Sequence, residues 1–249
     1  MESDKSLTRL YFPGRIAAGS ECRLPAAQTH HVQRVLRLKP GAPVTLFNGE
    51  GDEYDAAILD IAKVGVTVRV GGHREVDRES PLRVVLAQAV STGERMDYTI
   101  QKAVELGVAA IQPIFSSRSV VRLDSERGAR RVAHWQGVAV AACEQCGRNR
   151  VPQVQPVKVF AAWLAEEAGT EARHGLMLAP RAVLRLRDAP RPQAPITLLA
   201  GPEGGLAAEE QQAAERAGFT PVKLGPRVLR TETAAVAALA AMQALWGDF

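Results

Sequence analysis

The chain has 249 residues, 46% hydrophobic and 23% charged, the balance of a soluble globular protein with room for one large domain or two modest ones. No apolar run approaches the ~20 residues a membrane helix needs, the opening Met-Glu-Ser-Asp-Lys is not a secretory signal, and three cysteines are too few for a disulfide framework. A cytoplasmic protein with no membrane partner is expected; a net charge of +4 permits a nucleic-acid partner without establishing one.

In chain order, residues 8–70 read as a small β domain. Residues 8–12 suit a strand. Residues 26–36 suit a helix, with His30, His31, Gln33, Arg34 and Arg37 on it or just beyond, ended by Pro40-Gly41. Strands follow at 44–47, 54–61 and 66–70, the first two separated by the turn cluster Asn48-Gly49-Glu50-Gly51-Asp52. Short strands with turn signals between them suggest a small barrel. Arg9, Arg15, Arg34, Arg37 and Lys39 are candidates for one basic face, although on charge alone a solvated surface is the simpler reading. A polar stretch beginning at Gly71-Gly72 and ending at Ser80-Pro81 reads as a linker. The expected boundaries are therefore 1–72, a linker at 73–82, and a second domain at 83–249.

The second domain alternates strands and helices, the pattern of a mostly parallel α/β sheet flanked on both faces. Strands are expected at 82–90, 108–115, 175–179, 196–200 and 222–224. Helices are expected at 94–106, 124–145, 207–217 and 234–246, with Gly107, Gly147 and Gly218 as stop signals. Met96, Ile100, Ala103 and Val104 make a buried stripe on the first of these helices. Ser116-Ser117-Arg118-Ser119 follows a strand end, where hydroxyls and a guanidinium suit a phosphate or a base.

Two loops stand out. Gly201-Pro202-Glu203-Gly204-Gly205 follows the 196–200 strand, and Leu224-Gly225-Pro226-Arg227-Val228-Leu229-Arg230-Thr231 precedes the last helix. Neither has the spacing of a P-loop or of a dinucleotide fingerprint, and Glu203 argues against a polyphosphate. The first loop alone reads equally well as a tight turn. Both together, at strand ends facing helix starts, point to a small-molecule site. Glu232 opens the last helix, where the helix dipole favours negative charge. Thr231 capping that helix is the plain reading, and it is compatible with a catalytic role for Glu232. Cys143 and Cys146 lack two further ligands at zinc spacing and close a helix instead of opening one, so no metal is expected.

Gly201 to Gly205, followed by Leu-Gly-x-Arg-Val-Leu-Arg-Thr-Glu-Thr-Ala at 224–234, resembles the bacterial 16S ribosomal RNA uracil-N3 methyltransferases of the SPOUT class. Gln-Lys-Ala-Val-Glu-Leu-Gly-Val at 101–108, Ser-Ser-Arg-Ser-Val-Val at 116–121 and Glu-Gln-Cys-Gly-Arg at 144–148 fall in the family's order. His-His-Val-x-x-Val-Leu-Arg at 30–37 and Phe-Asn-Gly-x-Gly at 47–51 are similar to its PUA-like domain. Two departures stand out: no serine or threonine follows the paired glycines to cap the next helix, and Ser117 stands where a glutamate is common.

The resemblance implies a PUA-like β-barrel that binds RNA, a trefoil-knot methyltransferase domain, S-adenosylmethionine as cofactor, a homodimer, and 16S rRNA of the small subunit as partner. The cofactor residues it implies are Leu178, Ala179, Ala200, Gly201, Pro202, Glu203, Gly204, Leu224, Gly225, Val228, Leu229, Thr231 and Ala234. Glu232 becomes the candidate to accept or relay the uracil N3 proton, with Arg230 or Arg118 stabilising charge on the carbonyls. Arg9, Arg34, Arg37, Arg118 and Arg148 are the candidate RNA contacts. A non-catalytic RNA-binding or ribosome-assembly protein and a SPOUT ribose 2′-O-methyltransferase are the competing readings.

Overall fold

A computed structural model describes residues 8–119, 125–168 and 173–249. Asp124, the expected start of the long helix, and Val120-Val121 of the 116–121 motif lie outside the described residues, as does the N-terminal pentapeptide. Two compact units are present: Met1–Glu79 with Cys143–Val151, and Ser80–Ala142 with Pro152–Phe249. The first unit thus recruits a short segment from the middle of the chain, which the sequence boundaries do not anticipate.

In the first unit, β1 (Thr8–Tyr11), β2 (Glu21–Arg23), β3 (Pro43–Phe47), β4 (Glu53–Ala62) and β5 (Gly65–Arg74) form a five-stranded sheet in the order β1-β3-β4-β5-β2. Strand β5 carries Gly71-Gly72, so the glycine pair read as opening the linker is still strand. Helix α1 (Ala26–His30) continues as a π-helical stretch, His31–Leu36. Alternation along the strands separates core from solvent: Val66, Val68 and Val70 are buried while Arg69 points outward. They pack with Leu10, Val44, Leu46 and Ile58, and Val32 joins them from the helical segment.

The buried carboxylate of Glu53, 1% exposed, organises the other side of this unit. Arg9 reaches it at 2.5 Å, Arg74 at 3.0 Å and Arg78 at 3.1 Å. Arg9 also donates to the Asn149 side chain and to the Arg148 carbonyl, and its guanidinium lies 4.9 Å from the centre of the Phe47 ring. Arg148 in turn pairs with Glu79, and Glu144 accepts hydrogen bonds from the Tyr11 N–H at 2.9 Å and from Gln28 at 3.1 Å. Two of the arginines expected to contact RNA, Arg9 and Arg148, are thus engaged inside this unit. The Arg9 and Arg148 side chains are only 10% and 6% exposed, because the five-donor guanidinium fork is what buried carboxylates require.

The second unit holds β6 (Val84–Ala89), α2 (Glu94–Glu105), β7 (Ala110–Phe115), most of α3 (Ser125–Cys146), β8 (Gln153–Val154), β9 (Lys158–Val159), α4 (Phe160–Ala168), β10 (His174–Leu178), β11 (Ile196–Ala200), α5 (Ala208–Arg216), β12 (Phe219–Val222) and α6 (Thr231–Trp246). All its strand pairs are parallel, in the order β12-β10-β11-β6-β7-β8, with β9 also beside β7. Met96, Ile100, Ala103 and Val104 of α2 are fully buried, as the stripe requires, and α2 packs against α6. The expected strand at 222–224 is instead β12, three residues earlier; it is an edge strand, where Pro221 is tolerated. The last helix likewise starts earlier, at Thr231, which places Glu232 in its first turn. No helix among the described residues is long and apolar enough to cross a membrane.

Burial alone would push the Glu53 carboxyl up, but hydrogen bonds from Arg9 and Arg78 outweigh it and hold it below its ordinary value of 4.5. A carboxyl depressed on folding stabilises the protein above its unfolded value and ceases to do so as pH falls through the folded one. Glu53→Ala should therefore lower unfolding stability by ~3 kcal/mol at neutral pH, because it leaves the buried Arg9 guanidinium without its carboxylate. Urea titrations should show the gap to wild type narrowing below about pH 4.5.

Candidate functional site

The carboxyl ends of three neighbouring parallel strands open into one cleft. Leu178 ends β10, Ala200 ends β11 and Val222 ends β12, and all three line it. Strand β11 lies between β10 and β6 although it follows both in sequence, so the cleft opens at a switch in strand order, where open α/β sheets bind ligands. It encloses about 820 Å³ counted to its open mouth.

Of the expected cofactor residues, Leu178 and Ala179 line the cleft after β10; Ala200, Gly201, Pro202 and Glu203 line it after β11; Leu224, Gly225, Val228 and Leu229 line it after β12, with Thr231 and Ala234 from α6. Gly204 does not. Pro180, Leu206, Gln211, Lys223 and Arg227 are lining residues that the sequence reading missed. The walls are mainly apolar, which suits a flat organic ring more than a polyphosphate.

The 201–206 loop is tight. A Cβ on Gly201 would sit 3.0 Å from the Leu206 N and 3.2 Å from the Gly205 carbonyl carbon, so any other residue there would push the loop backbone aside by a few tenths of an ångström. Gly205 takes φ +67°, whereas a Cβ on Gly204 would meet only Arg118 at ordinary contact distance, 3.5 Å.

Three sets of contacts hold this loop and the chain just after it. Glu203 Oε1 accepts from the Thr92 N–H and hydroxyl, both at 2.9 Å, and from Arg95 at 3.2 Å. Burial would raise the Glu203 carboxyl, but the hydrogen bonds, led by that of the Thr92 N–H, hold it below 4.5. Arg118 donates to the Gly204 carbonyl at 3.0 Å. Glu210 bridges the Ser117 N–H at 2.7 Å and the Ala207 N–H at 2.9 Å. That contact satisfies the Ala207 N–H, the half of a capping box that a glutamate supplies, and reaches the Ser117 segment as well; the half a serine or threonine would supply is missing.

The second loop is tied to the first. The Thr231 hydroxyl donates to the Gly201 carbonyl at 2.5 Å, and the fully buried Gln88 amide donates to Thr231 Oγ1 at 3.1 Å. Thr231 therefore does not cap α6, whose first residue it is; the cap position falls on Arg230, which makes no side-chain cap. Gln88 was detectable as a polar amide inside the apolar 82–90 run, since a buried amide must find partners.

Arg230 is exposed. Glu232 is partly buried, and its Oε2 has no hydrogen-bond partner among the described residues. None of Glu232, Arg230 and Arg118 lines the cleft itself; Arg230 and Glu232 flank Thr231, and Arg118 holds the backbone of Gly204. The Cys143 thiol donates to the Arg150 carbonyl at 3.6 Å, and burial pushes it up to about 12, so it stays protonated. No group of His, Cys, Asp and Glu side chains suited to a metal ion occurs among the described residues.

An RNA methyltransferase domain family matches residues 78–243, and an RNA methyltransferase PUA domain family matches residues 24–71. Ribosomal RNA small subunit methyltransferase E of Buchnera aphidicola is 32% identical over 244 residues, covering 98% of both chains. The chain belongs to the ribosomal RNA small subunit methyltransferase E family. The Bacillus subtilis member is also 32% identical, over 86% of each chain. A crystal structure of the Neisseria gonorrhoeae member bound to S-adenosyl methionine is 41% identical, with a TM-score of 0.90 over 98% of this chain and 99% of that one. The fold follows the family's plan: a PUA-like sheet unit and a parallel-sheet SPOUT methyltransferase domain.

Because the Glu203 carboxyl is depressed, its tie to Thr92 and Arg95 holds above the ordinary carboxylate range and loosens as pH falls below about 4.5. Glu203→Gln should raise deuterium uptake at the 201–206 amides roughly tenfold at neutral pH, since charge-assisted hydrogen bonds contribute ~1.5–3 kcal/mol. The same segment of the wild type should loosen on acidification, and that of the variant should not change.

Proposed function

We propose that this protein transfers a methyl group from S-adenosylmethionine to N3 of a uridine in 16S ribosomal RNA of the small subunit. The observation that carries the reading is the cleft at the ends of β10, β11 and β12, walled by both glycine loops, in a chain of this family. The cleft fits the cofactor: apolar walls suit its adenine, and no phosphate cradle is required. When bound, the cofactor supplies an electrophilic methyl carbon on sulfur.

The chain's own residues do the rest. The backbone of 200–203 and 224–229, with Leu178 and Ala179, holds and orients the nucleoside, and this alignment supplies much of the acceleration. Uracil N3 is a poor nucleophile until its proton leaves. Glu232 accepts or relays that proton, and its unpartnered Oε2 supports the assignment. Arg230, exposed beside it, stabilises negative charge growing on the uracil carbonyls. Arg118 serves by holding Gly204 and meeting RNA. The target base must be unstacked to reach the site.

For RNA contact, Arg34 and Arg37 are exposed, as the role requires. Arg34 lines a groove of the first unit with Arg23, His30 and Lys63, and neither Arg34 nor Lys63 has an ion-pair partner among the described residues. This groove takes over the role first read for Arg9 and Arg148. The active form is a homodimer, a reading supported by the family resemblance and by the 80% exposure of Val228 at the cleft.

Calorimetry should show the wild type binding S-adenosylmethionine. Gly201→Ala should weaken binding about tenfold, while Gly204→Ala stays within about threefold, following the space around each glycine. Methyl transfer to 16S RNA should give a base methyl at uridine N3; a ribose methyl would support the 2′-O alternative. Arg34→Glu with Lys63→Glu should weaken RNA binding and lower the slope of log affinity against log salt by about one per lost phosphate contact.

A further inference from the structure

Gln88 lies one residue before the end of β6, in register with Ala200 at the end of β11. Its side chain is fully buried and does not line the cleft, yet it reaches the residue after Ala200. The amide Nε2 donates to the Ala89 carbonyl at 3.0 Å, approaches the Gly201 carbonyl at 3.4 Å, and donates to Thr231 Oγ1 at 3.1 Å. The Thr231 hydroxyl spends its only proton on the Gly201 carbonyl, so it accepts from Gln88 with a lone pair. The opposite amide orientation would turn a carbonyl oxygen onto two other carbonyl oxygens. The amide's Oε1 has no partner among the described residues, so the contribution of Gln88 lies wholly on its donor side.

Building on the function proposed above, we propose that Gln88 is a positioning residue for methyl transfer. Through the Gln88–Thr231–Gly201 triangle it fixes the first glycine loop against the first turn of α6. Both segments line the cleft, so the triangle fixes how its two loops meet. It also sets where the adjacent Glu232 is carried relative to the bound methyl donor. Glu203, Arg118 and Glu210 hold the first loop to other strand ends, whereas this triangle ties it to the second loop.

The test compares Gln88→Met, which keeps length and removes the donor, with Thr231→Val, which keeps shape and removes the hydroxyl, with their combination, and with Thr231→Ser. Each folded variant is titrated with S-adenosylmethionine and assayed for kcat and KM on small-subunit RNA. Deuterium uptake at 201–206 and 230–234 is followed without ligand. We expect Gln88→Met and Thr231→Val each to weaken cofactor binding about tenfold or more and to lower kcat, with faster exchange in both segments. The combination should be little worse than either alone, since both act on one interaction. Thr231→Ser should restore most of the binding.

A fall in melting temperature with cofactor affinity and kcat intact would reduce Gln88 to a structural role and overturn the proposal. Unchanged exchange in both segments would also overturn it. If the wild type itself bound no S-adenosylmethionine, the functional reading would fail, and the exchange data would still decide whether the triangle ties the loops.

Discussion

The site depends on one constraint of sheet order: β11 enters between β10 and β6, strands that precede it in the chain. Its carboxyl end is therefore flanked on both sides by the ends of strands already in place. The 201–206 loop has to settle among the loops leaving β6 and β7 on one side and β10 on the other. Its ties follow that geometry: Thr92 and Arg95 come from the segment after β6, and Ser117 and Arg118 from the segment after β7. The β10 side supplies Leu178 and Ala179 to the cleft wall. Backbone topology brings these pieces together, and the polar side chains then lock a loop whose own contacts are few.

Carboxylates do comparable work in each of the two units. Glu53 gathers three arginines, Glu79 takes Arg148, Glu203 takes Arg95, and Glu210 holds two backbone N–H groups. The mild positive charge of the chain is thus a poor guide to its RNA face, because several arginines are internal counter-charges. Once these are set aside, Arg34 and Lys63 remain as groove cations with no ion-pair partner among the described residues. This is why exposure and pairing, which a sequence does not display, decide which arginines are available to a phosphate.

Much of the fold was nonetheless legible. The run Ile196–Ala200 is a strand with the bounds its apolar pattern implied, and the α2 stripe is buried at each of the four positions read from its period. Both glycine loops were recognisable from spacing, and the structure brings them to one cleft. What was missed depends on long-range pairing. The three-residue β2 has too little pattern to register, and Pro221 disguises an edge strand. The 143–151 segment reads as the end of a helix and the turn beyond it, and its membership of the first unit rests on Glu144, Arg148 and Asn149 contacts to residues far away in sequence.

Thr231 shows how local chemistry yields to tertiary geometry. A threonine at the start of a helix ordinarily accepts from a backbone N–H two or three residues on. Here the helix begins one residue too early for that: Thr231 is already inside it, and its hydroxyl faces the Gly201 carbonyl, a strong acceptor with lone pairs to fill. Capping would need the hydroxyl oxygen to accept from a backbone N–H, and it accepts from the buried Gln88 amide instead, while its proton goes to the Gly201 carbonyl. The first-turn N–H groups of α6 consequently keep no side-chain cap, and the positive end of its dipole is left beside the cleft and Glu232. The residue that sequence rules assign to ending a helix cleanly instead joins two loops and leaves the helix terminus to the site.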